Sequence, residues 1–383
     1  MKKSKQTLLV NDQHYSKGAV APPIYQSSLF SFETYEQLES FYNGDIKHAI
    51  YSRVDNPTVE MFEEKMALLE GAQAGAAYAS GIAAISNVIL SLVEKGDKVL
   101  AVENVYPDTY RLLKDICHKF GIETEFVDGS DLDQIEKSII GKKFIYLESP
   151  STSVMGEQNL AAIAALAKKN NVVSIIDNSW ASPIFQNPIE HGIDIVVHSA
   201  SKYISGHSDV VAGIAVGKKD IINKIKTETS AYLGAKLSAH EASLLLRSLR
   251  TLPLRLKQHE ENGLFIAEKL KTHDAVTKVN HPGLARLSYS ALKGYGSLMS
   301  LEVAENVNIP NFCNALELFR LGVSWGGYES LIMPAIAAIN KGGYLNSAVD
   351  FGVPKNLIRI FVGLEQKEDL WLDIDNAFKK AIG

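Results

Sequence analysis

The 383-residue sequence predicts an α/β protein: a large domain on a mostly parallel sheet, followed by a smaller α/β domain. Three observations predict it. Beyond Gly71, short apolar runs alternate with stretches of helical period. Several of those runs are apolar on both faces, as strands covered by helices on each side are. After about residue 248 the pattern changes to one long helix and shorter strands. The expected division is an arm at 1–55, a large domain at 56–247 and a smaller one at 248–383.

The elements follow in order. Residues 1–55 lack sustained periodicity and carry Pro22, Pro23 and Gly44. They read as an extended arm, and an arm of this length frays unless it docks on something. Asn56 suits a helix N-cap and Pro57 the first helical position. Val59, Phe62, Met66 and Leu69 then supply an apolar stripe, and Gly71 ends the helix. Ala76 to Ala79 predicts a strand and Ile82 to Leu92 a helix. Lys98 to Val102 is the next strand and Thr109 to Phe120 the next helix. Phe144 to Leu147 is a strand, and Leu160 to Lys169 a helix. Val172 to Ile176 and Ile195 to Val197 are further strands. In the smaller domain, a helix spans Leu254 to Leu270, with strands at Ser297 to Val303 and Leu357 to Val362.

Composition narrows the function classes. A net charge of −5 argues against a nucleic-acid binder. No apolar run reaches the length of a membrane span. The basic start Met1-Lys2-Lys3-Ser4-Lys5 leads into no apolar core or cleavage site, so no secretory leader is expected. Cys117 and Cys313 offer neither a disulfide framework nor a metal-ligand spacing and read as small buried hydrophobes. A reducing cytoplasm is the expected location.

The chemistry centres on two places. Val172-Val173-Ser174-Ile175-Ile176 ends in Asp177, and further on Ser199-Ala200-Ser201 leads into Lys202. Pyridoxal 5′-phosphate needs both groups: an amine for its Schiff base and a carboxylate to hold its pyridine nitrogen protonated. Asp177 also sits where a doubly wound sheet presents ligands, at the carboxyl end of a strand. A phosphate cradle is the third part. Ser80, Gly81 and Ile82 lie between a strand and a helix, where glycine admits an anion and the helix N-terminus favours it. Ser199 and Ser201 add hydroxyl donors. Tyr51 and Arg53 either reach phosphate oxygens or are solvated. Tyr106 either stacks on a flat ring or packs in the core. Arg359, inside an apolar strand, either binds a carboxylate or is held in an internal ion pair. His198 and His207 read as structural or as supports behind the residues that touch the ligand.

Taken in chain order, Tyr51-Ser52-Arg53-Val54-Asp55-Asn56-Pro57-Thr58, Ser80-Gly81-Ile82, Asp177-Asn178-Ser179-Trp180 and Ser199-Ala200-Ser201-Lys202-Tyr203 resemble the Cys/Met-metabolism family of pyridoxal-phosphate enzymes. Gly206-His207-Ser208-Asp209, Ser324-Trp325-Gly326-Gly327-Tyr328-Glu329 and Arg359 extend the resemblance over nearly the whole chain. It implies the type I aminotransferase fold, with a seven-stranded sheet in the large domain, and a homotetramer of two intimate dimers. It implies that Lys202 carries the cofactor and moves protons, that Asp177 pairs with the pyridine nitrogen and that Tyr106 stacks on the ring. Ser80, Gly81, Ile82, Ser199 and Ser201 would hold the phosphate, and Tyr51 and Arg53 would reach it from a neighbouring subunit. Ser324, Arg359, Tyr51, Trp325 and Tyr232 would meet the substrate.

The reaction this resemblance favours is β-elimination at a carbon–sulfur bond. An amino-acid thioether, cystathionine or another cysteine S-conjugate, would be split to a thiol, pyruvate and ammonia. Asp108 stands where methionine γ-lyases carry a cysteine, and Thr152 replaces an asparagine common in the family, as in bacterial β-lyases. The Tyr51 segment looks more like γ-acting members, so γ-elimination or γ-replacement is the alternative. A ligand-sensing regulator on the same fold is the remote one.

Overall fold

The computed structural model describes residues 4–11, 15, 18–340 and 345–382. The arm is not extended throughout. Helix α1 (Lys5–Val10) is capped by Ser4 and buries Leu9, and α2 (Tyr35–Tyr42) follows the Thr34 cap. Lys65 donates to the Leu8 carbonyl at 2.7 Å, and Lys5 reaches Pro183 O and Asn187 Oδ1, so α1 packs on its own chain. In contrast, α2 has no buried residue. A helix of six residues with one buried side chain is too short to show a period, which is why the sequence pattern missed α1.

The first long helix forms as its capping residues predict. In α3 (Pro57–Glu70) the Asn56 side chain accepts from Thr58 N at 3.0 Å, and Gly71 terminates the helix. Val59, Phe62, Met66 and Leu69 are all buried.

Seven strands then build the large sheet: β1 (Ala74–Tyr78), β2 (Lys98–Val102), β3 (Glu123–Val127), β4 (Phe144–Glu148), β5 (Val173–Asp177), β6 (Ile195–Ser199) and β7 (Gly213–Gly217). Their order is β1-β7-β6-β5-β4-β2-β3. The pairs from β6 through β3 are parallel, and β7 runs antiparallel to both neighbours. The sheet is therefore mostly parallel and seven-stranded, as expected. β3 and β7 were not visible in the sequence: β3 is half exposed, and β7 carries a glycine at each end. Helix α4 (Gly81–Leu92) covers β6 and β7. The helix expected over Thr109 to Phe120 begins instead at Pro107, as α5 (Pro107–Arg111), and widens into a π-helical turn over Leu112–Cys117.

A second sheet holds β8 (Val276–Asn280), β9 (Leu298–Val303), β10 (Arg320–Leu321), β11 (Leu331–Pro334) and β12 (Leu357–Phe361), in the order β10-β11-β12-β9-β8. Its core gathers Ile266, Met299, Phe312, Ile358 and Phe378. Leu252, Leu256, Leu298 and Phe361 pack instead with the core of the large sheet, so the two layers share a seam. That seam sets β12 and the loop after β10 against the carboxyl ends of β4, β5 and β6.

Candidate active site

Three parallel strands end together in polar residues: Glu148 on β4, Asp177 on β5 and Ser199 on β6. Glu148 and Asp177 are paired across the β4–β5 register, and Asp177 is level with Val197 of β6. The carboxyl end of β2 adds Tyr106, whose backbone N–H donates to Glu148 Oε2 at 2.7 Å. Since β3 lies on one side of β2 and β4 on the other, this contact bridges the point where the strand order reverses, the usual ligand crevice of such sheets.

A cavity of about 330 Å³ opens there. It brings together Ser80, Gly81, Ile82, Tyr106, Asp177, Ser199, Ser201, Lys202, Ser324, Trp325 and Arg359, eleven residues that span more than two thirds of the chain. Trp180 and Leu298 close part of its wall.

One end of the cavity is the start of α4. Ser80 caps the helix, its Oγ accepting from Ala83 N at 3.1 Å. A Cβ on Gly81 would lie 2.8 Å from the Ser199 Cβ, so only glycine lets the helix start approach the Ser199 hydroxyl this closely. Ser199 is held in turn by its N–H, which donates to Ser179 Oγ at 2.7 Å. Ser201 faces the cavity, yet its hydroxyl also binds the Ala212 backbone, accepting from N at 2.9 Å and donating to O at 3.2 Å.

The centre of the cavity is Lys202. Its Nζ donates to Ser324 Oγ at 2.7 Å and lies 5.4 Å from the Trp325 ring centroid. Burial, then the positive charge of Arg359, pull its pKa down from 10.5 to about 8, against the opposing pull of Asp177. The turn bearing Ser324 sits tight on the lysine backbone. Gly326 has a φ of 91°, and a Cβ there would come 2.8 Å from Lys202 Cα.

Arg359 lies mid-strand in β12 and donates from Nη2 to the Val323 carbonyl at 2.6 Å. Among the described residues no carboxylate pairs with it, so the ion-pair alternative is not realised and the guanidinium keeps donors for a ligand.

Of the two carboxyls at the strand ends, Asp177 raises Glu148. Burial and then the charge of Asp177 push Glu148 up to about 8, while the Thr152 hydroxyl and Tyr106 N–H bonds hold it down. Burial also raises Asp177, opposed by Ser179, His198 and Lys202. The Ser179 N–H donates to Asp177 Oδ1 at 2.9 Å. Sequence reasoning did not select Glu148, although the signal was the one that flagged Asp177: an acid directly after an apolar strand. It also missed how Asp108 works. Asp108 accepts the Tyr106 hydroxyl at 2.7 Å and pairs with Arg111. Burial, then the bond to Asp108, raise the Tyr106 phenol above its ordinary range.

Three expected residues are elsewhere. Tyr51 and Arg53 line a separate cavity of about 530 Å³ with Tyr25 and Lys236, and Arg53 donates to the Ala231 carbonyl. Tyr232 is 83% exposed. None of the three lines the Lys202 cavity within its own chain. His198 is buried with Nε2 2.7 Å from Glu70 Oε1.

The sequence matches the family described as Cys/Met metabolism PLP-dependent enzyme over residues 6–379. The chain belongs to that family. It is 38% identical over 374 residues to the cystathionine beta-lyase of Lactococcus lactis subsp. cremoris, covering 95% of each chain. It is 35% identical over 370 residues to the L-methionine gamma-lyase of Pseudomonas putida, covering 94% of this chain and 93% of that one. In structure it superimposes on the cystathionine gamma-lyase of Lactobacillus plantarum complexed with L-serine with a TM-score of 0.91, at 34% identity and 99% coverage of both. The fold is therefore the one the sequence resemblance implied, and pyridoxal phosphate is the family's cofactor. The site fits such a group: a glycine-lined helix start for an anion, a lysine with a depressed pKa, and a buried carboxylate at a strand end. Among the described residues no helix is long and apolar enough to cross a membrane, and no His/Cys/Asp/Glu group could hold a metal.

Proposed function

We propose that this chain is a carbon–sulfur β-lyase that splits cystathionine or another cysteine S-conjugate into a thiol, pyruvate and ammonia in the cytoplasm. The observation that carries the reading is the placement of one amine, Lys202 Nζ, between the free guanidinium donors of Arg359 and the carboxylate of Asp177. When bound, pyridoxal phosphate supplies an electron sink for the charge left at the substrate's Cα. This chain's residues do the rest. Arg359 and Ser324 hold the α-carboxylate, and Trp325 flanks it. Lys202 removes the Cα proton, electrons move to break the Cβ–S bond, and thiolate leaves. The enamine released hydrolyses to pyruvate and ammonia. Asp177 would keep a proton on the pyridine nitrogen, and Tyr106 would stack on the ring. The N–H groups of Gly81 and Ile82 and the hydroxyls of Ser80, Ser199 and Ser201 would hold the phosphate.

The β route asks less of this site than the γ route. γ-Elimination needs a second proton removed at Cβ before sulfur departs, whereas β-elimination needs only the Cα proton. Asp108, in the position of the γ-lyase cysteine, already engages the Tyr106 hydroxyl. The likeness to the methionine γ-lyase of Pseudomonas putida favours the second reading, γ-elimination. Products decide between them. Cystathionine and S-alkyl cysteines should yield pyruvate; 2-oxobutyrate from methionine or cystathionine as the main keto acid would replace the β reading by the γ one.

The Lys202 assignment has a pH signature. An amine must be neutral to attack an aldehyde, and Lys202 is half neutral near pH 8 rather than near 10.5. The rate at which apoprotein takes up pyridoxal phosphate, followed by visible absorbance, should rise with pH and level off above about pH 8. A rate still climbing steeply beyond pH 10 would contradict the depressed pKa.

Tyr51 and Arg53 are read as completing the phosphate site of a neighbouring copy in a homotetramer, with Tyr232 at the entrance. Arg53→Ala should then weaken cofactor retention by about tenfold or more, the scale of one lost charged hydrogen bond. The melting temperature of the apoprotein should barely move, since Arg53 is exposed and, among the described residues, makes one hydrogen bond, to the Ala231 carbonyl, and a contact with the neighbouring Tyr51 ring. Unchanged cofactor affinity would remove Arg53 from the site.

A further inference from the structure

A second, larger cavity of about 700 Å³ adjoins the first and shares Tyr106, Thr152, Ser153, Val323 and Arg359 with it. Ring and guanidinium thus form a neck between them. A substrate whose carboxylate is on Arg359 and whose Cα faces Lys202 has this cavity as open space beyond the neck.

Among the described residues its walls are mainly apolar: Met333, Ala335, Ala338, Leu345, Phe351 and Val353. The far wall is held in place. Phe351 packs edge-on against Tyr110 at 5.3 Å and against Phe126 at 5.4 Å, and the Tyr110 hydroxyl donates to Asp350 next to it.

Several polar groups around the cavity are already engaged. Asn346 donates from Nδ2 to the Ala338 carbonyl at 2.9 Å and accepts at Oδ1 from Ala348 N at 3.2 Å. Asp108 is taken by Tyr106 and Arg111, and Thr152 by Glu148. The ionised side chains on the wall are thus paired with each other or, for Arg359, used by the α-carboxylate, so a charged tail finds no free partner among the described residues, whereas an apolar tail finds the apolar side chains named above. The volume lies within the range of pockets that enclose whole small molecules, far above the needs of a methylthio group.

We propose that this second cavity is the leaving-group subsite, and that it selects conjugates of bulky apolar thiols over both small thiols and cystathionine. The inference rests on the carbon–sulfur lyase reading of the first cavity and names its substrate class.

The test compares kcat/KM of the holoenzyme for S-methyl-L-cysteine, S-benzyl-L-cysteine and cystathionine, with keto-acid identification. Methionine and S-benzyl-L-homocysteine form a parallel γ series. S-Benzyl over S-methyl should be favoured by about tenfold or more, as expected for several extra apolar carbons in a fitted pocket. Ala338→Phe, and independently Ala335→Phe, should cut that benzyl-to-methyl ratio at least fivefold by filling the cavity, roughly the effect of losing one buried methylene. Retained visible absorbance shows that each variant is folded and loaded. A ratio near one in the wild type, cystathionine as the best substrate, or a ratio that neither folded variant moves would overturn the subsite. If 2-oxobutyrate is the only keto acid, the β reading fails, while the benzyl-to-methyl ratio within the γ series still decides the subsite.

Discussion

Lys202→Ala should abolish turnover and remove the visible absorbance of lysine-bound cofactor. Borohydride should fix pyridoxal phosphate covalently to the wild-type chain, with the added mass mapping to the peptide that holds Lys202, and should fix nothing to the variant. The expectation comes from position as well as from residue type. Among the eleven expected residues that line the cavity, Lys202 is the one primary amine, and it lies between Ser324 and Asp177. Burial and then the Arg359 charge lower its pKa to about 8, so near neutral pH a useful fraction is free base. Lys47 and Lys367 sit instead in ion pairs with Glu60 and Glu261, which favour the charged form. The variant should still fold. The backbone of Lys202 supports the turn through its N–H bond to Ser199 O, which alanine keeps. A variant that turns over substrate at the wild-type rate would end the assignment.

The parts of this site that were legible in the sequence share one property: local residue type and chain position suffice to specify them. Asn56-Pro57 marks a helix start because cap and first-turn preferences are local. Asp177 and Lys202 stand out because an acid ending a buried strand and a lysine in a serine-rich turn are both unusual. Glu148 carried the first of these signals and was passed over, since nothing nearby in sequence showed that β4 lies against β5 in register with Asp177. Asp108 and Arg111 form an ordinary helical pair, and only the folded chain shows that the Tyr106 hydroxyl joins them. The second cavity is the least legible part. Its neck comes from β2, β4 and β12, and its far wall from residues near 350, so no local pattern could mark it.

Asp177→Asn should lower kcat by at least about 100-fold, the scale seen when one preorganised charge partner is removed from a reacting centre. Lysine-bound cofactor should remain visible, because Lys202 is untouched. The loss arises because asparagine cannot stabilise a protonated pyridine nitrogen as a carboxylate does, so the ring accepts charge from Cα less well. Glu148 is the natural objection, being a second buried carboxyl beside the first. Its two oxygens are already engaged, by Tyr106 N–H and by the Thr152 hydroxyl, and burial with the Asp177 charge favours its protonated form up to about pH 8. It is therefore placed to orient the Tyr106 backbone and not to replace Asp177. Removing the Asp177 charge lowers the Glu148 pKa, because the second-largest cause of its rise is gone. Glu148→Gln should accordingly cost much less than Asp177→Asn. The two variants, compared across pH by kcat and by visible spectrum, separate the roles. If Glu148→Gln proved as damaging as Asp177→Asn, the two carboxyls would have to act as one unit at the ring nitrogen, and the assignment of that nitrogen to Asp177 alone would fail.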